Sequence, residues 1–195
     1  MNEQIAKVVF LSGRRVNLRP IARADIPTLI RWINDPQVRE FLGVANFPKT
    51  EREEEEWVAR MGKNDTDISL GIETKEGVLI GTMGIHQIDW VNRMATTGAL
   101  IGEKAYWGKG FGTDAKMILL DYAFNTLNLH KICSSVIAFN KRSLAYSLYC
   151  GYKVEGKRKK HIFRKGKYWD RIELGLFKED WLPIWRHYRR TGKVR

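Results

Sequence analysis

The sequence predicts one domain of mixed α and β structure, α/β of the α+β kind, over residues 1–195. Three observations predict it. Runs of strand-like alternation are interleaved with runs of helical period. The segment Thr113 to Leu127 carries a wide apolar helical stripe. No repeat, low-complexity linker or Pro/Gly/Ser-rich break divides the chain. A chain of 195 residues can bury a core of its own, and 44% hydrophobic residues with seven Trp supply the material despite a 29% charged fraction. The chain is therefore expected to fold throughout.

Each element follows from its local pattern. Arg15 to Arg19 alternates as RVNLR, a short strand. Asp25 precedes Ile26, Leu29, Ile30 and Ile33, which recur at i, i+3, i+4 and i+7 and so share one helix face with Asp25 as the cap. Thr50 is the N-cap of a second helix reaching Met61. The acidic run Glu51 to Glu56 suits that helix's positive end, or is simply a solvated face. Strands follow at Asp67 to Glu73, Val78 to Asp89 and Thr96 to Gly102, with turns at Glu76-Gly77 and Val91-Asn92-Arg93, which suits a meander. On the Thr113 to Leu127 helix, Ala115, Ile118, Leu119, Tyr122 and Ala123 trace the stripe. Lys131 to Ala138 reads as a buried strand and Asn140 to Cys150 as a helix ended by Gly151. Tyr152 to Phe177 reads as a hairpin turning at Lys165-Gly166-Lys167.

Composition limits the functional classes. No stretch approaches the roughly 18–20 uninterrupted apolar residues of a membrane span, and MNEQIAKVVF lacks a signal peptide's apolar block and cleavage site. The expectation is a cytoplasmic protein with no membrane association. Cys133 and Cys150 form no CxxC or Cys/His cluster, so both are expected as reduced, buried thiols and no metal is expected. The net charge of +12 favours anionic partners: nucleic acid, ribosomes, acidic protein surfaces or a phosphorylated cofactor.

One turn points to chemistry. A strand ending at Ile101-Gly102 leads into glycines 108, 110 and 112 and then a strong helix, which exposes backbone N–H groups at a helix N-terminus where phosphate binds. The GxGxG spacing fits neither a P-loop nor a dinucleotide fingerprint. By themselves these glycines fit a plain structural turn equally well.

Around that turn the residues resemble the GNAT acetyltransferase superfamily, whose cofactor loop reads Arg/Gln-x-x-Gly-x-Gly/Ala at the start of a central helix. Here it is Trp107-Gly108-Lys109-Gly110-Phe111-Gly112. The resemblance continues through Leu120-Asp121-Tyr122-Ala123-Phe124, Asn128-Leu129-His130-Lys131-Ile132, Asn140-Lys141-Arg142-Ser143, Cys150-Gly151-Tyr152 and Gly166-Lys167-Tyr168-Trp169-Asp170. Upstream it takes in Leu18-Arg19-Pro20 and Arg31-Trp32-Ile33-Asn34-Asp35. It covers about residues 15 to 182 and looks most like the ribosomal-protein N-terminal and polyamine acetyltransferase branches. It implies a mixed, mostly antiparallel sheet of about seven strands, flanked by helices and open in a V between the two central strands. It also implies transfer of acetyl from acetyl-CoA, a co-substrate, to a primary amine by direct attack in a ternary complex. The acceptor is a protein N-terminus, a small amine or a polyamine.

The resemblance assigns roles residue by residue. Ala99, Leu100 and Ile101 pair through main chain with pantetheine. Gly108, Lys109, Gly110, Phe111, Gly112 and Thr113 donate N–H bonds to the pyrophosphate. Asn140 contacts pantetheine or its attached water, or else only caps its helix, roles that can coexist, and Arg142 and Ser143 lie beside it, with Lys109 and Arg142 adding charge near phosphate. Two positions depart from the pattern. Ser147 stands where a Tyr often protonates the departing thiolate; it either donates to that thiolate or fills space while water does so. Trp107 replaces the loop's usual Arg or Gln and is expected to pack against the loop. Tyr146 and Tyr149 flank Ser147 but point to other sides of the helix, so neither simply replaces the Tyr.

An amine must lose a proton to attack, and relatives often carry Glu just before position 98, where this chain has Thr97. Asp89 and His86 remain as base candidates, with Glu103 after the next strand. Asp89 equally fits a turn-former and His86 a structural histidine. Lys157 to Lys167 carries seven Lys/Arg in eleven positions, which suits RNA, a ribosome or another acidic partner, or else a solvated edge that deters aggregation. A homodimer stays open. The competing readings are a catalytically weak acetyl-CoA-binding module and a ribosome- or RNA-associated protein.

Overall fold

The computed structural model describes residues 8–43 and 47–194; residues 1–7, 44–46 and 195, over which the expectation of a chain folded throughout also runs, lie outside the described residues. The described residues build one eight-stranded sheet in the order β1-β2-β3-β4-β5-β6-β8-β7. Strand β1 is Leu11–Ser12, β2 Val16–Pro20, β3 Ile68–Thr74, β4 Leu79–Asp89 and β5 Met94–Ile101. Then come β6 at Lys131–Ile137, β7 at Lys153–Arg164 and β8 at Lys167–Phe177. All neighbours are antiparallel except β5 and β6, which run parallel. The mixed, mostly antiparallel sheet and the meander are as expected; the two-residue β1 makes eight strands where about seven were expected.

Helices cover both faces. They are α1 (Ile26–Asn34), α2 (Pro36–Arg39), α3 (Glu51–Arg60), α4 (Phe111–Asp121), α5 (Lys141–Tyr149) and α6 (Lys178–Thr191). The stripe read between Thr113 and Leu127 is α4 followed by a wider π turn at Tyr122–Thr126. Ala115, Met117, Leu119, Leu120, Ala123 and Phe124 are fully buried there. They join the larger apolar cluster with Ile80 and Ile132 of the strands and Trp181 of α6. A second cluster, Leu29, Trp32 and Val38 with Trp57, Leu79 and Leu100, lies under α1 to α3. Leu79 and Ile80 belong to different clusters, as do Leu100 and Ile101, so the clusters occupy opposite faces of the sheet.

Three expectations change. Asp25 precedes α1, but its carboxylate does not cap that helix; it accepts from the Ala22 N–H at 2.8 Å, at the start of the turn before α1, and from Arg19 at 2.7 and 2.9 Å, while Arg19 also donates to Glu73 at 2.8 Å. The carboxylate is buried beside a buried guanidinium, and charge pairing outweighs capping there. Cys150 is a buried thiol, but Cys133 is only half-buried. Helix α6 has no counterpart in the sequence reading, which stops at Phe177; Pro183 inside it reads as a breaker. Thr50 caps α3 as expected, in a reciprocal pairing with Glu53.

Candidate functional site

Strands β5 and β6 pair only at Met94↔Lys131, Ala95↔Ile132 and Thr96↔Cys133. Beyond Thr96 they part, while β5 runs on to Ile101 and β6 to Ile137. At the point of parting, Ser134 Oγ donates to the Thr97 carbonyl at 3.3 Å. The gap opens into a cavity of about 700 Å³ walled by both strands, the glycine turn, the start of α4 and the inner side of α5.

Main-chain geometry shapes one wall. Gly108 and Gly110 sit at φ +73° and +85°, a left-handed conformation that glycine adopts without penalty. Gly110 is the N-cap of α4 and no side chain caps that end, where the first-turn N–H groups lack intrahelical partners. At Gly112 an added Cβ would make ordinary contact at 3.7 Å, so glycine is not sterically required there.

The structure places most of the expected contact residues together. Ala99, Leu100, Ile101, Gly108, Gly110, Gly112, Thr113, Asn140, Arg142, Ser143 and Ser147 all line the cavity. Asn140 Oδ1 accepts from the Ser143 N–H at 3.0 Å as the α5 cap, which uses only the oxygen of its amide. Arg142 lies 4.1 Å from the centre of the Trp107 ring, so an indole holds the guanidinium at the rim. Trp107 does not simply pack: its Nε1 donates to the Ile101 carbonyl at 2.7 Å, occupying part of the main-chain acceptor expected for pantetheine. Lys109 and Phe111 do not line the cavity. Phe111 packs edge-on against Tyr106, and the Lys109 carbonyl accepts from Arg15 at 3.0 Å.

The base candidates stand elsewhere. Asp89 is exposed in the β4–β5 turn, accepting from Asn92 N and Nδ2 at 2.8 and 2.7 Å; the Asn92 side chain is the main cause holding its carboxyl below the usual range. His86 Nδ1 sits 3.3 Å from Asp67 Oδ1, on the sheet but not in the cavity. Glu103 accepts from Arg31 and from Trp32 Nε1, and Arg31 chiefly lowers its proton affinity. No Asp, Glu or His is among the described residues lining the cavity. Tyr146 and Tyr149, expected to point away, both line it; the Tyr146 hydroxyl is engaged by the Gly112 carbonyl at 3.1 Å, and burial pushes its proton affinity well up.

The sequence reading passed over one buried titratable group of the cavity wall. Lys116 is 2% exposed yet lines the cavity, and its Nζ donates to Thr97 Oγ1 at 2.8 Å. Thr97 Oγ1 in turn shares a 2.8 Å hydrogen bond with the Tyr152 hydroxyl. Burial lowers the Lys116 ammonium from the ordinary 10.5 to about 8. A signal was present: Lys116 falls at i, i+3, i+4 and i+7 with Leu119, Leu120 and Ala123, a charge inside the apolar stripe.

The basic Lys157 to Lys167 stretch is exposed along most of its length, and several of its side chains also have partners within the fold. Lys157 and Arg158 pair with Asp170 and Glu173, Lys165 pairs with Glu40, and Arg164 donates to the Leu42 carbonyl at 2.7 Å. Lys167 rests on the Trp169 ring.

Comparison with known proteins adds kinship to this geometry. A family model described as "Acetyltransferase (GNAT) domain" matches residues 15–153. The chain is 29% identical over 179 residues to an uncharacterized N-acetyltransferase, p20, of Bacillus licheniformis, covering 88% of this chain and 97% of that one. It is 27% identical over 176 residues to a spermidine N(1)-acetyltransferase of Escherichia coli, covering 88% and 90%. Its fold matches the crystal structure of a Vibrio cholerae spermidine N-acetyltransferase in complex with CoA and spermine. That match has a TM-score of 0.80 at 24% identity over 86% of this chain and 98% of that one.

Proposed function

The chain belongs to the acetyltransferase (GNAT) domain family, and from that premise we propose that it moves an acetyl group from acetyl-CoA to an amine by direct attack in a ternary complex. The opening between β5 and β6, with the α4 N-terminus at its rim, carries this reading. Pantetheine is an extended chain with two amides, and the parted strands offer it main-chain partners where a neighbouring strand is missing. The pyrophosphate is an anion, and the glycine turn offers N–H groups with Arg142 and Asn140 nearby. These residues fit the co-substrate in charge, shape and donor type. Ser147, 4% exposed and lining the cavity, is the proposed donor to the leaving thiolate.

The charged side chains lining the cavity are Lys116, Arg142 and Arg171, with no carboxylate among the described residues. A polycation meets like charge there, so the reading favours a small monoamine or a protein N-terminus over the polyamine that relatives' names suggest. A thiol-release assay with acetyl-CoA over a panel of monoamines, peptides and polyamines tests it, with release expected to be fastest for the monoamine or peptide class. Among the described residues the cavity lining holds no carboxylate or histidine to act as a base, which favours a second reading, an acetyl-CoA-binding module of weak activity. Stabilisation by acetyl-CoA without thiol release on any amine would select that one.

A further inference from the structure

Lys116 is the buried cation that the proposed reaction leaves unused. It stands one turn beyond the glycine turn, on the face of α4 that meets the parting of β5 and β6. Its Nζ is fixed 2.8 Å from Thr97 Oγ1, and the Thr97 carbonyl receives Ser134 at the point where the strands separate. The nitrogen is therefore held beside Thr97, the first β5 residue past the last β5–β6 pair, at the apex end of the gap on its α4 side.

Its surroundings do not hold a charge well. The rings of Tyr146 and Tyr152 lie 5.9 and 5.6 Å from Nζ, and the Cys150 thiol lies close enough to couple to it. Its partners among the described residues are hydroxyl, thiol and aromatic groups, not a carboxylate. A buried ammonium without a counter-ion is costly and readily gives up its proton. Burial lowers Lys116 to about 8, so about a tenth of the molecules carry it neutral at pH 7 and about half at pH 8. A neutral, desolvated lysine amine is a nucleophile.

Resting on the acetyl-CoA reading above, we propose that Lys116 is itself an acetyl acceptor: with no competing amine present, its Nζ takes the acetyl group of the acetyl-CoA held in the cavity. The neutral nitrogen attacks the thioester carbonyl carbon, so that a C–N bond forms and the C–S bond breaks. The nitrogen's surplus proton passes to the departing thiolate, leaving an acetyl-lysine amide and free CoA, and no further reactant is needed. The amide keeps one N–H for Thr97 Oγ1, removes the buried charge, and places an acetyl group in the apex. The modified protein is then blocked where the next acetyl group would sit, so an amine-starved enzyme restrains itself.

The test incubates the full chain with acetyl-CoA and no amine, followed by intact mass and peptide mapping. The expected result is one acetyl group on Lys116, at a rate that saturates with acetyl-CoA, rises as pH approaches 8 and is suppressed by excess CoA. Acetylation of surface lysines is the background: it does not saturate and ignores CoA. In Lys116→Met the saturable adduct disappears while the background persists, and its circular dichroism confirms folding. Melting of the unmodified protein with and without CoA separates the two ideas. No stabilisation by CoA would overturn the acetyl-CoA reading, whereas stabilisation with Lys116 unmodified, or with surface adducts only, overturns the self-acetylation.

Discussion

Lys116 costs the fold stability, and the cost has a pH signature. Its folded proton affinity lies below the ordinary 10.5, at about 8. Between those values the unfolded chain binds more protons than the folded one, so this residue's contribution improves as pH rises through the window and is flat below it. Lys116→Met is expected to gain on the order of 3 kcal/mol at pH 7, less about 1 kcal/mol for the lost bond to Thr97. The gain should shrink toward pH 10.5. Urea titrations of parent and variant across pH 6–10 check it, read as a difference, because Cys150, pushed up to about 12 by burial, slopes the other way above its ordinary 9.0. Arg19 is the opposite case. It is 1% exposed and serves both Asp25 and Glu73, so Arg19→Met should cost about 3–5 kcal/mol in the same titration. At this scale the sequence announced Asn140 and Ser147 through their places in a motif. It hid the pairing of Arg19 with Asp25 and with Glu73, the latter 54 residues away, and it offered Asp89 and His86, neither of which lines the cavity, although the His86 ring lies on the side of Gly98.

The glycine turn and the helix it opens act as one element, and its glycines are not equivalent. Gly110 needs its left-handed backbone, whereas an added Cβ at Gly112 meets only ordinary contacts. Gly110→Ala should therefore lower stability by about 1 kcal/mol or more and weaken CoA-induced stabilisation. Gly112→Ala should leave the melting of the unliganded protein nearly unchanged. Thermal melts of both, with and without CoA, decide it. Most elements were legible because each carries a local period or punctuation mark: the stripe of α4, Thr50 before α3, Gly151 after α5 and Lys165-Gly166 between β7 and β8. Helix α6 was not, although Trp181, Ile184, Trp185 and Tyr188 recur at i, i+3, i+4 and i+7. Pro183 and a highly charged background masked a stripe that the fold buries against Phe124 and α4.

At the scale of the molecule, distant segments depend on one another in ways no local window shows. Asp114 of α4 accepts backbone N–H bonds from Arg14, Arg15 and Val16 and the hydroxyl of Tyr188, joining the start of the sheet to the last helix. Trp181 is fully buried and stacks on Trp185. A chain cut after Phe177 is therefore expected to lose its cooperative melt, which circular dichroism against temperature would register. The charge of +12 acts globally too: affinity for the anionic co-substrate should fall as salt rises, measurable by calorimetry at two ionic strengths.

The parting of β5 from β6 has one more consequence. A sheet normally has strand edges without a neighbouring strand only at its outer borders, but this one carries such an edge through its middle, on β5 beyond Thr96, where side chains of Ser134 and Trp107 take the Thr97 and Ile101 carbonyls. The sheet resembles two halves hinged at three residue pairs, with an inner border between them. A bound pantetheine arm would serve as a borrowed strand, and exchange at Thr97, Ala99 and Ile101, whose main-chain groups alternate toward the gap, should slow when CoA is added. For such a fold, the small molecule it consumes is also the missing piece of its own backbone ladder.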